Sequence, residues 1–198
     1  MMNRKFLLMG AASSLLLSAL VVSNAQSTDV DVDASIITKA AISLTKNTDM
    51  DFGDVEFATT HGGQIQLGTD GTVVLTGATG LTLGAAATTA GDVDVSGDGA
   101  SVVEISCETG GTLTDGGANT LTLSATEFTT GAGGAPGSGT ACAGLGTTPG
   151  TVDLSVTATP KVLIGGTIDV TGNAIAVSAT YDTAAAGGDP MTLRVVYQ

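Results

Sequence analysis

The sharpest chemistry in this sequence is offered by the stretch Asp92-Val93-Asp94-Val95-Ser96-Gly97-Asp98. Its order, Asp-x-Asp-x-Ser-Gly, opens a calcium loop, where alternating oxygen side chains surround a hard cation and glycine makes the sharp turn. Such a loop closes on a bidentate Glu, but Val103 holds that position and Glu104 falls one residue late. Val93 and Val95 also alternate as a strand would. The stretch is read as part of a hairpin with outward acids, and no metal is assigned. Two other acidic groups gather oxygens in the same way. Asp29, Asp31 and Asp33 share one parity of an alternating run, and Asp49, Asp51, Asp54 and Glu56 crowd a turn. A solvated face accounts for both.

Nucleophilic chemistry finds less support. His61 is the only histidine, so a Ser-His-Asp triad must use it. It stands beside Gly62-Gly63 in what reads as a loop, and the chain has no G-x-S-x-G elbow. Asp182-Thr183-Ala184 has the form of an aspartic protease triplet, but such a dyad needs two converging aspartates and no clear second copy exists. Phosphate loops and dinucleotide fingerprints are absent. Cys107 and Cys142 with one histidine fall short of a zinc ligand set unless carboxylates join them. In an exported chain the default for the pair is a disulfide. Closing a loop of that length stabilises by roughly 4 kcal/mol in the chain-entropy model. The expectation is a non-enzyme with no catalytic residues and no cofactor.

Export itself is read from the first residues. Arg4 and Lys5 form a basic n-region, Phe6 to Val22 is apolar, and Ser23-Asn24-Ala25 presents small residues where a signal peptidase reads. Cleavage is expected after Ala25, leaving one domain over 26–198. The rival is a retained anchor, but the apolar run is short for a span, and no later run approaches spanning length. Arg4 and Lys5 leave with the signal, so four of the six basic residues face nineteen acidic ones. Such a surface repels nucleic acid and anionic lipid. The expected address is the periplasm, the cell surface or the extracellular space.

The elements that position these residues are strands. Gly, Thr, Ala and Val dominate, and helix formers are scarce. The longest alternation runs from Asp29 to Leu44: Val30, Val32, Ala34 and Ile36, then Thr38, Ala40, Ile42 and Leu44. It predicts a long first strand with one apolar face. A polar block from Asn47 to Asp54 then turns the chain, with Phe52 as a buried anchor. Thr69-Asp70-Gly71 reads as a hairpin turn between strands at 64–67 and 72–76. Further strands are predicted at 92–95, 101–107, 120–124, 151–159, 162–170, 174–181 and 191–197, with Gly165-Gly166 as a bulge or kink. The stretch 131–150 carries eight glycines and two prolines and must be a loop, one that a Cys107–Cys142 bond would tie back. Nine or ten short strands at this spacing predict an all-β, immunoglobulin-like or pilin-like β-sandwich. A closed outer-membrane barrel is the other all-β option, but five aromatics in the mature chain cannot build two girdles.

Several of these stretches resemble a bacterial family, the domain of unknown function 4402. They are Lys39 to Val55 with Asp51-Phe52-Gly53, the hairpin Gly63 to Thr76, Val162-Leu163-Ile164-Gly165-Gly166-Thr167-Ile168, and the ending Leu193-Arg194-Val195-Val196-Tyr197-Gln198. The resemblance implies an exported sandwich and brings no catalytic residues. The ends also look like fimbrial subunits, in which an alternating N-terminal extension completes a neighbour's sandwich and the last strand carries a penultimate tyrosine, here Tyr197. That resemblance implies Val30, Val32, Ala34 and Ile36 as the inserted row, added to a sheet edge by backbone hydrogen bonds. Two features depart from the pattern. Ala185 stands where those subunits usually carry glycine, and the cysteines lie mid-chain. The alternative is that 29–44 is the chain's own first strand behind an acidic tail.

The expected role is a structural or adhesive surface protein, a pilus-like subunit that self-associates or joins related surface subunits by edge-strand pairing. The rival is a monomeric secreted binding module that takes a glycan or calcium through its loops.

Overall fold

The alternating stretches become strands in the computed structural model, which describes residues 35–147, 150–157, 159–176 and 178–198. In chain order these are β1 (Ser43–Thr48), β2 (Val55–Leu67), β3 (Val73–Leu83), β4 (Gly91–Ser96), β5 (Val102–Cys107), β6 (Gly111–Thr114), β7 (Thr120–Thr130), β8 (Thr140–Ala141), β9 (Gly150–Asp153), β10 (Lys161–Asp169) and β11 (Leu193–Tyr197). Eleven strands replace the expected nine or ten. They form a β-sandwich of two antiparallel sheets, one of eight strands and one of three in the order β11-β5-β9.

β10 is the axis of the larger sheet. Along one edge it pairs with β7. Along the other its first half pairs with β4, from Lys161 to Ile164, and its second half with β2, from Gly166 to Asp169. The exchange of partners happens at the glycine pair. A Cβ on Gly165 would stand 2.3 Å from the Leu67 carbonyl oxygen, so only glycine lets the two backbones approach this closely. Opposite the pair, β7 bulges, and Ala125 takes up the extra residue at φ 46°.

Inward residues of both sheets make the first core cluster: Val95, Val103, Ile105, Phe128, Val152, Leu154, Val162 and Ile164, with Cys107 and Cys142 among them. Ile65, Leu121, Leu123, Ile168 and Val170 make a second cluster under the other half of β10. Ile175, Tyr181 and Met191 cover it, as does Phe52, which is half-buried rather than fully enclosed.

Four expectations need correction. The long first strand does not form where residues are described. Residues 35–42 are irregular and β1 starts only at Ser43, because its partner β4 ends at Ser96, the residue opposite Ser43. Among the described residues the strand expected at 174–181 is absent. Ser178 takes φ 58°, which breaks an extended path, and the chain that follows meets β6 through single bridges at Asp182 and Asp189. The strand expected over 151–159 stops at Asp153, whose carboxylate accepts from Ser155 N at 2.8 Å and turns the chain. His61 lies inside β2, not in a loop. The hairpin at Asp70-Gly71 stands as expected: Gly71 has φ 83°, and Gly68 N donates to Thr72 O at 2.8 Å.

Candidate functional site

The three-stranded sheet ends in β11 and β9, whose outer edges pair with no strand among the described residues, as do those of β1 and β3 in the larger sheet. On the β9 edge the inward side chains are closed in, with Val152 8% and Leu154 2% exposed. On the β11 edge the inward row Leu193, Val195 and Tyr197 packs on the first cluster yet remains only half-buried. The hydrogen-bond phase of β11 follows from its ends. Glu108 N donates to Thr192 O at 3.0 Å and Gln198 N to Val102 O at 3.2 Å. Arg194 and Val196 are therefore the residues bonded to Ser106 and Glu104 on β5. The amides and carbonyls of Leu193, Val195 and Tyr197 point to the outer edge, where no strand pairs with them among the described residues.

Tyr197 ties this edge to two distant segments. Its hydroxyl accepts from Asp98 N at 2.6 Å and donates to Ala40 O at 2.6 Å. Gly97 makes room for it, since a Cβ there would stand 2.5 Å from the same oxygen. The Lys39 ammonium lies 4.8 Å from the centre of the Tyr197 ring, a cation–π contact. The segment before β1 therefore passes the end of β11, with Ile42 packed on the first cluster. Arg194 projects outward from the same strand, and no ion pair forms at it among the described residues. Of the four basic residues among the described ones, Lys39 and Arg194 thus gather at β11. Lys46 pairs with Asp49 at 2.6 Å, and Lys161 with Asp92 at 2.5 Å and Asp94 at 3.7 Å.

The acidic residues serve the turns. Asp98 caps its own turn, accepting from Ser101 Oγ at 2.9 Å, while Asp92 and Asp94 face outward toward Lys161. Asp51 accepts from Gly53 N at 2.8 Å and Asp182 from Ala184 N at 2.8 Å. Hydrogen bonds to the ionised form hold four carboxyls below the usual carboxylate range. For Asp70 the Thr72 hydroxyl leads, for Asp115 the Asn119 side chain, for Asp153 the Ser155 side chain, and for Asp169 the Thr171 backbone amide. The hydrogen bond to Asp92 holds the Lys161 ammonium above its ordinary value. Among the described residues no three His, Cys, Asp or Glu side chains converge as a metal site would need. Asp29, Asp31 and Asp33 lie outside those residues.

His61 turns both ring nitrogens to carbonyl oxygens, Nδ1 to Ala58 at 3.0 Å and Nε2 to Asn173 at 3.1 Å, with its edge against Phe57. Neither partner is a nucleophile. Cys107 and Cys142 form the expected disulfide, S–S 2.04 Å. Of the proposed donor row, Val30, Val32 and Ala34 lie outside the described residues, and Ile36 stands 87% exposed. Sequence reasoning missed Glu127, which is buried on β7 and accepts from Gly137 N at 2.9 Å and Gly139 N at 2.8 Å. Those bonds, with Thr69 Oγ1 accepting from Gly134 N at 2.9 Å, hold the glycine-rich loop in place. Acid at an otherwise alternating Thr/Leu strand was the one available signal. A shallow groove of about 470 Å³ lies beside β9, lined by Thr151, Asp153, Val156, Pro160 and Lys161 among others.

The model of the domain of unknown function (DUF4402) matches residues 42–186, most of the chain, and the chain belongs to that family. No curated protein and no solved structure matches it.

Proposed function

We propose that this DUF4402 protein is exported and acts as a non-enzymatic structural or adhesive protein of the cell surface, a pilus-like subunit that assembles by pairing sheet edges. The observation that carries the reading is the three-stranded sheet, which ends in unpaired strands on both sides among the described residues. Exposed edges invite strand addition, and proteins that do not use them blunt them. The alternating run Val30, Val32, Ala34 and Ile36 supplies a strand with one apolar face. The acids are spent on turns, and the two buried cysteines on a disulfide, which suits a scaffold.

Deleting residues 26–37 from the exported chain tests this. The expected result is a monomer by light scattering with the melting temperature of the parent, which itself forms multimers. A parent that stays monomeric at high concentration contradicts it. The groove beside β9 favours a second reading, a monomeric binding module. No aromatic residue lines the groove, so it offers a sugar no stacking platform. Calorimetry against glycans and calcium tests that reading, and the absence of heat rejects it.

A further inference from the structure

We infer that the outer face of the larger sheet, where it meets the glycine-rich loop, is a binding site for an uncharged polysaccharide. The inference rests on the adhesive side of the reading above and names the ligand and its place, which is neither a strand edge nor the groove beside β9. Leu113, Leu123, Ile168, Ile65 and Leu75 turn inward to the second core cluster, so the next residue on each of their five strands faces out. Register lines up Thr112, Thr122, Asp169, Gln64 and Thr76 as one row across β6, β7, β10, β2 and β3. A second row holds Ser124, Thr167, Gln66 and Val74. In a chain with nineteen acids, these two rows carry one, Asp169, and no base. Their side chains hold one another in place. Thr76 Oγ1 donates to Gln66 Oε1 at 2.9 Å, Gln66 Nε2 donates to Gln64 Oε1 at 3.3 Å, and the Gln64 side chain bonds to Asp169. A neutral hydrogen-bonding face is thus already ordered before a ligand arrives.

The second row runs into a hollow of about 140 Å³ beside the loop, lined by Gln66, Thr167, Ala125, Glu127, Pro136 and Gly137 among others. Glu127 is only 6% exposed. A carboxylate offers about four acceptor positions, and the Gly137 and Gly139 amides take up two. What remains suits O–H donors. No Lys or Arg lines the hollow to hold an anion, and no second acid lines it to share a hard cation. Sugar hydroxyls donate and accept without charge, which matches both the hollow and the two rows. No aromatic ring stands in either row, so recognition falls to hydrogen bonds rather than stacking. Each such bond nets little in water. Affinity therefore comes from a polymer that crosses several strands at once. Five strands about 4.8 Å apart span roughly 19 Å, room for several sugar units.

Native gels cast with a neutral β-glucan, a mannan or a galactan, or with polygalacturonate, test the site by retardation of the purified chain. Retardation by a neutral polymer and none by polygalacturonate is the expected result. Gln64→Ala combined with Gln66→Ala should weaken that binding roughly fivefold or more, with the melting temperature as the check on folding. Thr122→Ala removes one exposed hydroxyl from β7 and should weaken it roughly twofold without touching the loop. Val156→Asp in the groove beside β9 should leave it unchanged. Free passage through all three neutral polymers would overturn the site, and retardation by polygalacturonate alone would overturn the ligand class. Equal retardation of the parent and the sheet-face variants, or a loss in Val156→Asp alone, would place binding elsewhere and overturn the assignment. Light scattering on the same samples separates this site from assembly. Multimers that pass freely would overturn the site and leave edge pairing standing. Retarded monomers would support the site and contradict edge pairing.

Discussion

Removing the Tyr197 hydroxyl unties three segments at once, because that oxygen joins β11 to the turn at Asp98 and to the chain at Ala40. Tyr197→Phe keeps the ring and loses both bonds. It should cost about 1–3 kcal/mol, read as a lower urea midpoint with an unchanged slope. An unchanged midpoint would mean that water replaces both partners without loss. The alternation of Leu193, Val195 and Tyr197 was legible as a strand face. The partners of the hydroxyl were not, since they lie 99 and 157 positions away and nothing local marks them. The aspartates carry a prediction about pH. Asp70, Asp115, Asp153 and Asp169 have folded-state values below the ordinary one. Their contribution to stability is complete above the unfolded value, near pH 4, and is lost as pH falls through the folded values. The melting temperature should therefore hold from pH 7 to about pH 5 and fall below about pH 4. Asp70→Asn should make that acid limb shallower. A limb of the same steepness in the variant would remove Asp70 from its causes.

At the scale of elements, the glycine pair in β10 decides whether the larger sheet can exchange β4 for β2. Gly165→Ala places a methyl against the Leu67 carbonyl and should cost about 2–3 kcal/mol, more than an ordinary strand glycine. A loss under about 0.5 kcal/mol would show that the two backbones part without penalty. The disulfide is the other fixed point, joining β5 to the loop after β8 through cysteines 35 positions apart. Replacing both with alanine should cost about 2–5 kcal/mol and lower the thermal midpoint. A midpoint that does not move would show that hydrogen bonds such as those to Glu127 hold the loop alone. Strands with partners on the β10 axis were legible because their inward positions alternate cleanly, as in Val162, Ile164 and Ile168. The stretches 35–42 and 174–181 alternate just as well but have no ladder to join. Periodicity reports which face a strand would bury, and not whether a partner is present.

For the whole molecule, the open question of geometry is which face a neighbour meets. The acidic surface keeps copies apart, and Arg194 and Lys39 lie at the β11 edge. Association by edge pairing should strengthen with added salt, because screening relieves the repulsion between acidic copies. Neither the edge nor its charge was visible beforehand. Arg194 and Lys39 are 155 positions apart in the sequence, and only the fold brings both to one strand. The family match reaches from residue 42 to 186 and so leaves Val30 to Ile36 and β11 outside it. Electron microscopy of material sheared from the native cells, with an unboiled gel beside it, tests the central claim most directly. Fibres and a ladder of multimers, both lost when this gene is deleted, are the expected result. A single soluble species near the mass of one chain would contradict assembly by edge pairing.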